Sequence, residues 1–183
     1  MDPSRITLRP FKLSDVDDFL KWVNDDRVAK NVRWDAITTR EEAVAHLEKV
    51  AIPQPWHHSI CLDDRSIGYI SLWKVSDDDK STASIAYATA AEHWGQGIAT
   101  IALKMALSRV FIELPDLVRL MAYVLKENKR SQRVLEKFGF VKTDLIRKMY
   151  KGEMKDILVY GFLSKNKEVD YSICKQNANW KKG

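Results

Sequence analysis

Residues 98–114 constrain the fold of this chain more than any other segment. Their apolar side chains recur at the spacing of one helical face, at Leu103, Ala106, Leu107, Val110, Phe111 and Leu114. Further apolar residues occupy other sides of the same helix, and the polar stripe is narrow, at Thr100, Lys104 and Ser108. A helix that is apolar on most sides must be covered on most sides, so we expect a central helix that ends before Pro115.

Patterns on either side of this helix predict a mixed sheet. Alternating or β-branched segments predict strands at 6–11, 58–62, 67–75, 82–90 and 117–125, followed by a closing hairpin that turns at 151–153. Helix signals predict one helix capped by Ser14, one starting at a capping box of Thr38 or Thr39, and a short one from Asn128 to Gly139. This order of elements belongs to the α/β (α+β) class, with the sheet covered by helices.

Composition limits the function classes and the compartment. Cys61 and Cys174 lie far apart and form no ligand pattern with the four histidines, so we expect neither a disulfide framework nor a metal site. No apolar run approaches the ~20 residues of a membrane span, and the first residues resemble a strand rather than a signal peptide. We therefore expect a cytoplasmic protein, with the nucleus as the alternative compartment, and no membrane partner.

The positive charge is concentrated at the end of the sequence. The formal net charge is +5; residues 164–183 contain five lysines and two acids, hence +3, and residues 1–163 carry the remaining +2. No arginine stripe or nucleic-acid motif accompanies this charge, so we expect a solvated basic tail and no nucleic-acid partner. The predicted domains are a body at 1–163 and a tail at 164–183.

A glycine-rich junction precedes the central helix. The stretch Glu92-His-Trp-Gly-Gln-Gly-Ile-Ala-Thr100 contains two of the seven glycines of the chain, where a predicted strand passes into the helix. Glycines there can adopt positive φ, and the unpaired N–H groups of a first helical turn favour an anion such as a phosphate. The stretch is neither a Walker A loop nor a dinucleotide fingerprint, because Gly-Lys-Ser/Thr and a third glycine are both missing. By itself, a plain tight connection explains it equally well.

A second segment identifies a family. Together with the glycine stretch, Asn128-Lys-Arg-Ser-Gln-Arg-Val-Leu-Glu-Lys-Phe-Gly-Phe140 resembles the GNAT superfamily of N-acetyltransferases, and most closely its RimJ/RimL-like branch. The resemblance covers nearly all of residues 1–163. It implies a strongly bent mixed β-sheet flanked by helices, with a splay between the fourth and fifth strands. It also implies acetyl-CoA as cosubstrate, a primary amine as acceptor, no metal, and a monomer or homodimer.

The resemblance also implies where acetyl-CoA binds. The pyrophosphate would contact backbone N–H groups of one continuous segment: Gly95, Gln96, Gly97, Ile98, Ala99 and Thr100. Asn128 and Ser131 carry over from the second segment. Glu92 stands where relatives have Gln or Arg, and an acid beside phosphate is unfavourable, so we expect it to point away. From the residues alone, Asn128 is a helix N-cap, and Ser131 has a hydroxyl on an inward face that needs a partner.

Three catalytic groups are needed: an acid, an oxyanion donor and a base. Relatives use a tyrosine as the acid that protonates the leaving thiolate; Leu135 occupies that position here, so we expect Ser131 to replace it. The oxyanion donor would be a backbone N–H near Ala88. The fourth strand contains no carboxylate, and its one titratable side chain, Tyr87, is a poor base with an ordinary pKa of ~10. A water relay is an equal alternative for the base, and His93 is a weaker one.

The acceptor side is predicted from two segments, 24–37 and 150–155. Trp34 would be a wall of the cleft or a packing residue, and Tyr123 would point either into the cleft or into the core. Trp22 and Trp73 fit core positions. The leading hypothesis is acetyl transfer to a protein or peptide α-amine. The alternatives are a polyamine or aminoglycoside acetyltransferase, which Asp25, Asp26 and Asp35 would suit, and a non-catalytic acyl-CoA-binding module.

Overall fold

The computed structural model describes residues 1–34, 36–76 and 79–164. Within them the chain forms seven strands: β1 (Ile6–Pro10), β2 (His57–Leu62), β3 (Arg65–Lys74), β4 (Thr82–Thr89), β5 (Arg119–Leu125), β6 (Val141–Tyr150) and β7 (Glu153–Leu163). Five α-helices accompany them: α1 (Val16–Val23), α2 (Asp26–Ala29), α3 (Arg40–His46), α4 (Ile98–Glu113) and α5 (Lys129–Lys137). The tail at 165–183, including Cys174, lies outside the described residues.

The strands form one sheet in the order β1-β2-β3-β4-β5-β7-β6. All neighbours are antiparallel except β4 and β5, which pair in parallel over three residues only, Thr82 to Ser84 against Arg119 to Met121. Beyond Ser84 and Met121 the two strands no longer pair, so they diverge and leave an open splay. The expected mixed sheet with a splay between the fourth and fifth strands is therefore confirmed.

The two faces of the sheet are covered by different helices. On β3, Tyr69 stacks on Trp22 of α1, with ring centroids 6.2 Å apart. The next residue, Ile70, points to the opposite face and pairs with Tyr87, whose hydroxyl meets Ser131 of α5. We call these the α1 face and the α5 face. Because side chains alternate along a strand, they bring different groups to the two sides of the splay.

The central helix is α4, as its apolar periphery predicts. Five of its residues are almost fully enclosed: Ile98, Ala102, Leu103, Ala106 and Val110. The helix contacts β1, β3 and β4. Residues 90–97, which include the 3₁₀ turn Ala91–His93, connect the end of β4 to the first turn of α4, which places the glycine junction beside the splay.

Local signals explain most of the other elements. Thr39 and Glu42 form the expected capping box at the start of α3. Asn128 caps α5 through its side chain, and Gly139, with φ 84°, follows the end of that helix. The hairpin turns at Lys151 and Gly152, both with positive φ, as a two-residue turn requires.

Several local predictions were wrong. Ser14 does not cap α1: it lies in a short 3₁₀ turn, Asp15 holds the N-cap position, and neither side chain caps the helix. The carboxylate of Asp15 accepts the Lys12 N–H at 2.9 Å. An ionised carboxylate is the stronger acceptor, and Asp15 is fixed further by an ion pair with Arg9 at 2.8 Å. Trp73 is not a core residue, because it is 39% exposed near the end of β3. The segment after α1 contains a one-turn helix that the sequence analysis did not predict, α2, capped by Asp25.

Candidate active site

The glycine junction forms an uncapped helix start. Gly95 and Gly97 have φ of 80° and 82°, in the left-handed region that only glycine adopts freely. Gly97 is the N-cap residue of α4, and no side chain caps the helix within the described chain. The first helical bond runs from the Ile101 N–H to the Gly97 carbonyl at 3.0 Å, so the N–H groups of Ile98, Ala99 and Thr100 have no intrahelical acceptor. These groups and the helix dipole suit a phosphate.

Glu92 is a largely exposed residue close to this junction. Its side chain is 76% exposed, and its carboxylate lies 3.4 Å from Nε2 of His93. The side-chain amide of Gln96 donates to the Glu92 carbonyl at 3.3 Å. His93 ends the 3₁₀ turn Ala91–His93, two residues before Gly95, so it lies beside the glycine junction as expected.

Arg130 supplies a positive charge near the junction that the sequence analysis missed. Its guanidinium lies 4.8 Å from the ring centroid of Trp94, and the Trp94 indole N–H donates to the Thr89 carbonyl at 2.9 Å. Lys129 and Arg130 occupy the first turn of α5, which contains no acid. Cations in a first turn oppose the helix dipole. That unfavourable placement was the signal that could have identified Arg130 as a ligand-binding candidate.

Ser131 and Tyr87 form a hydrogen-bonded pair on the α5 face. The Ser131 hydroxyl donates to the Tyr87 hydroxyl at 3.0 Å, and Tyr87 donates to the Ser131 carbonyl at 3.3 Å. The side chain of Asn128 accepts the Ser131 N–H at 3.1 Å, which fixes the start of the helix. Burial raises the pKa of Tyr87 to about 12, so its hydroxyl keeps its proton at neutral pH. Tyr87 can therefore donate a hydrogen bond but is even less suited to act as the base.

The register identifies which amides of β4 face the splay. The Ala90 N–H donates to the Ile67 carbonyl of β3 at 2.7 Å, and the pairing of the two strands continues without a shift. Because bonding directions alternate along an antiparallel strand, the Ala88 N–H also points toward β3, and those of Tyr87 and Thr89 point toward the splay. A Cβ at Gly68 would lie 2.3 Å from the Ala88 oxygen, which agrees with this orientation. The amide expected near Ala88 is thus better placed at its two neighbours.

The two predicted acceptor segments meet. The Tyr150 hydroxyl donates to the Val32 carbonyl at 2.7 Å, and Lys151 Nζ donates to the Ala29 carbonyl at 2.7 Å. Burial raises the pKa of Tyr150 to about 12, so this donor stays protonated. These bonds tie the β6–β7 turn to the loop after α2.

Tyr123 and Trp34 both lie beside this junction on the α1 face. Tyr123, on β5, is half-buried, and the Arg33 guanidinium stacks over its ring at 5.3 Å from the centroid. Trp34 is also half-buried and packs on Tyr69, with ring centroids 4.9 Å apart. One side of Trp34 therefore serves packing, and the structure brings Trp34 and Tyr123 to the same face of the sheet.

Two structural findings concern other ligand classes. Among the described residues no group of three or more His, Cys, Asp or Glu side chains could hold a metal ion. Within the same residues, every helix is too short or too polar to cross a membrane.

Comparison with known proteins identifies the family. Residues 5–141 match the Acetyltransferase (GNAT) domain, and the chain therefore belongs to the GNAT family of N-acetyltransferases. It is 31% identical over 175 residues to the probable N-acetyltransferase YjcK of Bacillus subtilis, an alignment that covers 89% of this chain and 96% of that one. The predicted acyltransferase class is confirmed, and the non-catalytic alternative loses its basis.

Solved structures show the same fold. RimJ of Mycobacterium smegmatis, in complex with CoA-disulfide, superposes with a TM-score of 0.75 at 23% identity, covering 88% of this chain and 83% of that one. The ribosomal-protein-S5-alanine acetyltransferase of Vibrio fischeri superposes with a TM-score of 0.76 at 20% identity, covering 88% and 94%.

Proposed function

We propose that the protein transfers the acetyl group of acetyl-CoA to the α-amine of a protein or peptide. The observation that carries this proposal is the splay between β4 and β5, which has the uncapped start of α4 at one end and the Ser131–Tyr87 pair on one face. This arrangement offers a phosphate site at one end of the open slot between the two strands and a proton donor on one of its faces.

Acetyl-CoA fits the groups that the junction presents. The N–H groups of the segment 95–100 would bind the pyrophosphate, with no metal needed because the amides and the helix dipole oppose its charge. Arg130, stacked on Trp94, would add a full positive charge nearby. The pantetheine would enter the splay beside Asn128 and Ser131, on the α5 face.

The chemistry is a direct attack of an amine on the thioester. The N–H groups of Tyr87 and Thr89 face the splay and would stabilise the negative charge that develops on the acetyl oxygen. The C–S bond breaks as the C–N bond forms, and Ser131 would protonate the departing thiolate and take up a replacement proton from solvent. Tyr87 orients the Ser131 hydroxyl and, at its raised pKa of about 12, stays protonated beside it.

The acceptor would enter from the α1 face, between Trp34, Tyr123 and the β6–β7 turn. Two observations favour a peptide over a polyamine. Asp25 caps α2 and is ion-paired to Arg27 at 2.6 Å, so its charge is already balanced. The likeness of the fold to the ribosomal-protein-S5-alanine acetyltransferase supports a protein as acceptor.

A panel of acceptors tests the proposal. We expect thiol release from acetyl-CoA with short peptides that have a free α-amine, and mass spectrometry should place one acetyl group on that amine. The same peptides with a blocked N-terminus are the matched control and should give no release. If the enzyme acetylates spermidine or kanamycin but none of the peptides, the acceptor is a small cationic amine instead. No thiol release with any amine would reject the proposal.

A further inference from the structure

Unpaired polar atoms are concentrated in one part of the interior. Among the described residues, five buried side-chain nitrogens have no hydrogen-bond partner: Trp22 Nε1, Trp34 Nε1, His46 Nε2, His57 Nδ1 and His58 Nδ1. Buried polar groups in native proteins almost always have a partner, and where the chain supplies none the partner is commonly ordered water. Five such nitrogens therefore point to partners that the described residues do not provide.

Four of these five residues surround one tyrosine. The ring centroids of Trp34, His57 and Trp22 lie 4.9, 5.3 and 6.2 Å from that of Tyr69. His46 joins them through Trp34, at 5.5 Å. We call these five residues the Tyr69 cluster. His58 points to the other face of the sheet, against Trp56 at 4.8 Å.

The Tyr69 cluster lies next to the place where the amine must react. Tyr69 pairs with Ala88 of β4, so it reaches the splay from the α1 face, opposite the Ser131–Tyr87 pair. Trp34 lies two residues after Val32, whose carbonyl accepts the hydrogen bond of Tyr150 at the acceptor side. Trp22 also lines an open cavity of about 550 Å³ at the end of β4, so the cluster borders this cavity at one residue.

The chemistry of these nitrogens suits water that carries a proton. An indole N–H can only donate, and a neutral imidazole has one nitrogen that donates and one that accepts. A water molecule that accepts from an indole keeps both of its hydrogens to donate, one of them to an imidazole. Burial lowers the pKa of His46 and His57, which keeps both imidazoles neutral at physiological pH and able to accept.

We propose that the Tyr69 cluster binds water and that this water carries the proton of the acceptor amine to His46. This inference rests on the proposed function, because it supplies the base that β4 lacks. The ammonium N–H bond breaks and its electron pair stays on nitrogen, which attacks the thioester carbonyl. The proton passes to the water, which gives one of its own to Nε2 of His46.

His46 is the better recipient of the two imidazoles. His57 is only 4% exposed and is enclosed by Phe11, Tyr69 and Trp73, so a proton taken there would stay buried. His46 is half-buried at the end of α3, with Nε2 inside, so it can pass the proton on to solvent.

Hydration of the cluster can be measured without any turnover. Water–protein nuclear Overhauser effects should connect bound water to the indole protons of Trp22 and Trp34. Trp56 is the control, since it is 6% exposed, close to the 3% of Trp22, but its indole N–H donates to Glu113 at 3.0 Å. If Trp22 and Trp34 show no more contact with water than Trp56, the inference is overturned, whatever the enzyme acetylates.

A matched pair of variants tests the relay. His46→Gln keeps a hydrogen-bonding side chain that cannot take up a proton, so kcat should fall about 10²-fold or more while the KM for acetyl-CoA stays the same. His58→Gln alters a buried, unpaired histidine outside the cluster and should leave kcat within about twofold. Trp34→Phe removes one donor to the water and keeps the ring, and should lower kcat several-fold even if His46→Gln is too unstable to assay.

The outcomes separate the two proposals. A folded His46→Gln enzyme with kcat within about twofold of the parent overturns the relay and leaves the proposed function standing. The same holds if the variant raises only the KM for acetyl-CoA. A parent enzyme that binds acetyl-CoA but acetylates no amine refutes the proposed function and the relay together, because there is then no proton to move.

Discussion

Two glycines with the same backbone conformation allow a controlled test of the phosphate site. Gly97 and Gly139 have φ of 82° and 84°, and at both positions a Cβ would meet no heavy atom within 4 Å. Alanine at either site should therefore lower the free energy of unfolding only by the strain of the left-handed conformation, about 1–2 kcal/mol. For a domain of this size each kcal/mol lowers the Tm by about 2–4 °C, so both variants should melt about 2–8 °C lower.

CoA affinity should distinguish the two variants. At Gly97 the methyl group would stand at the uncapped start of α4, where the amides would meet the pyrophosphate. A hydrogen bond to a charged group contributes about 1.5–3 kcal/mol, so losing one raises the Kd about 10- to 150-fold. Gly139 lies after α5, so Gly139→Ala should bind CoA as the parent does.

Calorimetric titration of both variants with CoA, together with melts of the free proteins, measures the two effects separately. Equal Kd values for the parent, Gly97→Ala and Gly139→Ala would refute the assignment of the pyrophosphate to this junction. A Kd raised equally in both variants would show instead that general strain, and not the junction, controls affinity.

Three further predictions concern catalysis, pH and the tail. Ser131→Ala should lower kcat by about 10²-fold or less, since a thiol leaves readily, with little change in the KM for acetyl-CoA; a raised KM at constant kcat would make Ser131 an anchor. Between pH 7 and pH 5 His57 alone should lower the free energy of unfolding by about 2 kcal/mol, because unfolded His57 takes up a proton near pH 6.5 whereas burial holds its folded pKa at about 3. Denaturant titrations should show this loss in the parent and a flatter profile in His57→Gln. A chain that ends at Ser164, just after β7, should keep kcat within a few-fold, and a large drop in Tm would contradict the division at 163.

Sequence patterns correctly predicted the elements that depend on interactions between residues close together in the chain. The capping box at Thr39, the cap at Asn128, the central helix α4 and the two-residue hairpin turn all follow from residues a few positions apart. Prediction failed where a distant partner decided. Asp15, not Ser14, holds the N-cap position of α1, and its carboxylate is bound by Arg9 and by the Lys12 N–H. Trp73 stays 39% exposed near the end of β3.

The candidate site also has some features that neighbouring residues determine and others that depend on distant contacts. The sequence by itself determined the positive φ at Gly95 and Gly97 and the uncapped start of α4, because these depend on neighbouring residues alone. Only the tertiary structure decided that Tyr87 meets Ser131 across 44 positions of sequence, and that Arg130 lies over Trp94. Strand register likewise decided which amides of β4 face the splay. Contacts between distant segments depend on how the sheet twists and which helices cover it, and no short stretch of sequence contains that information.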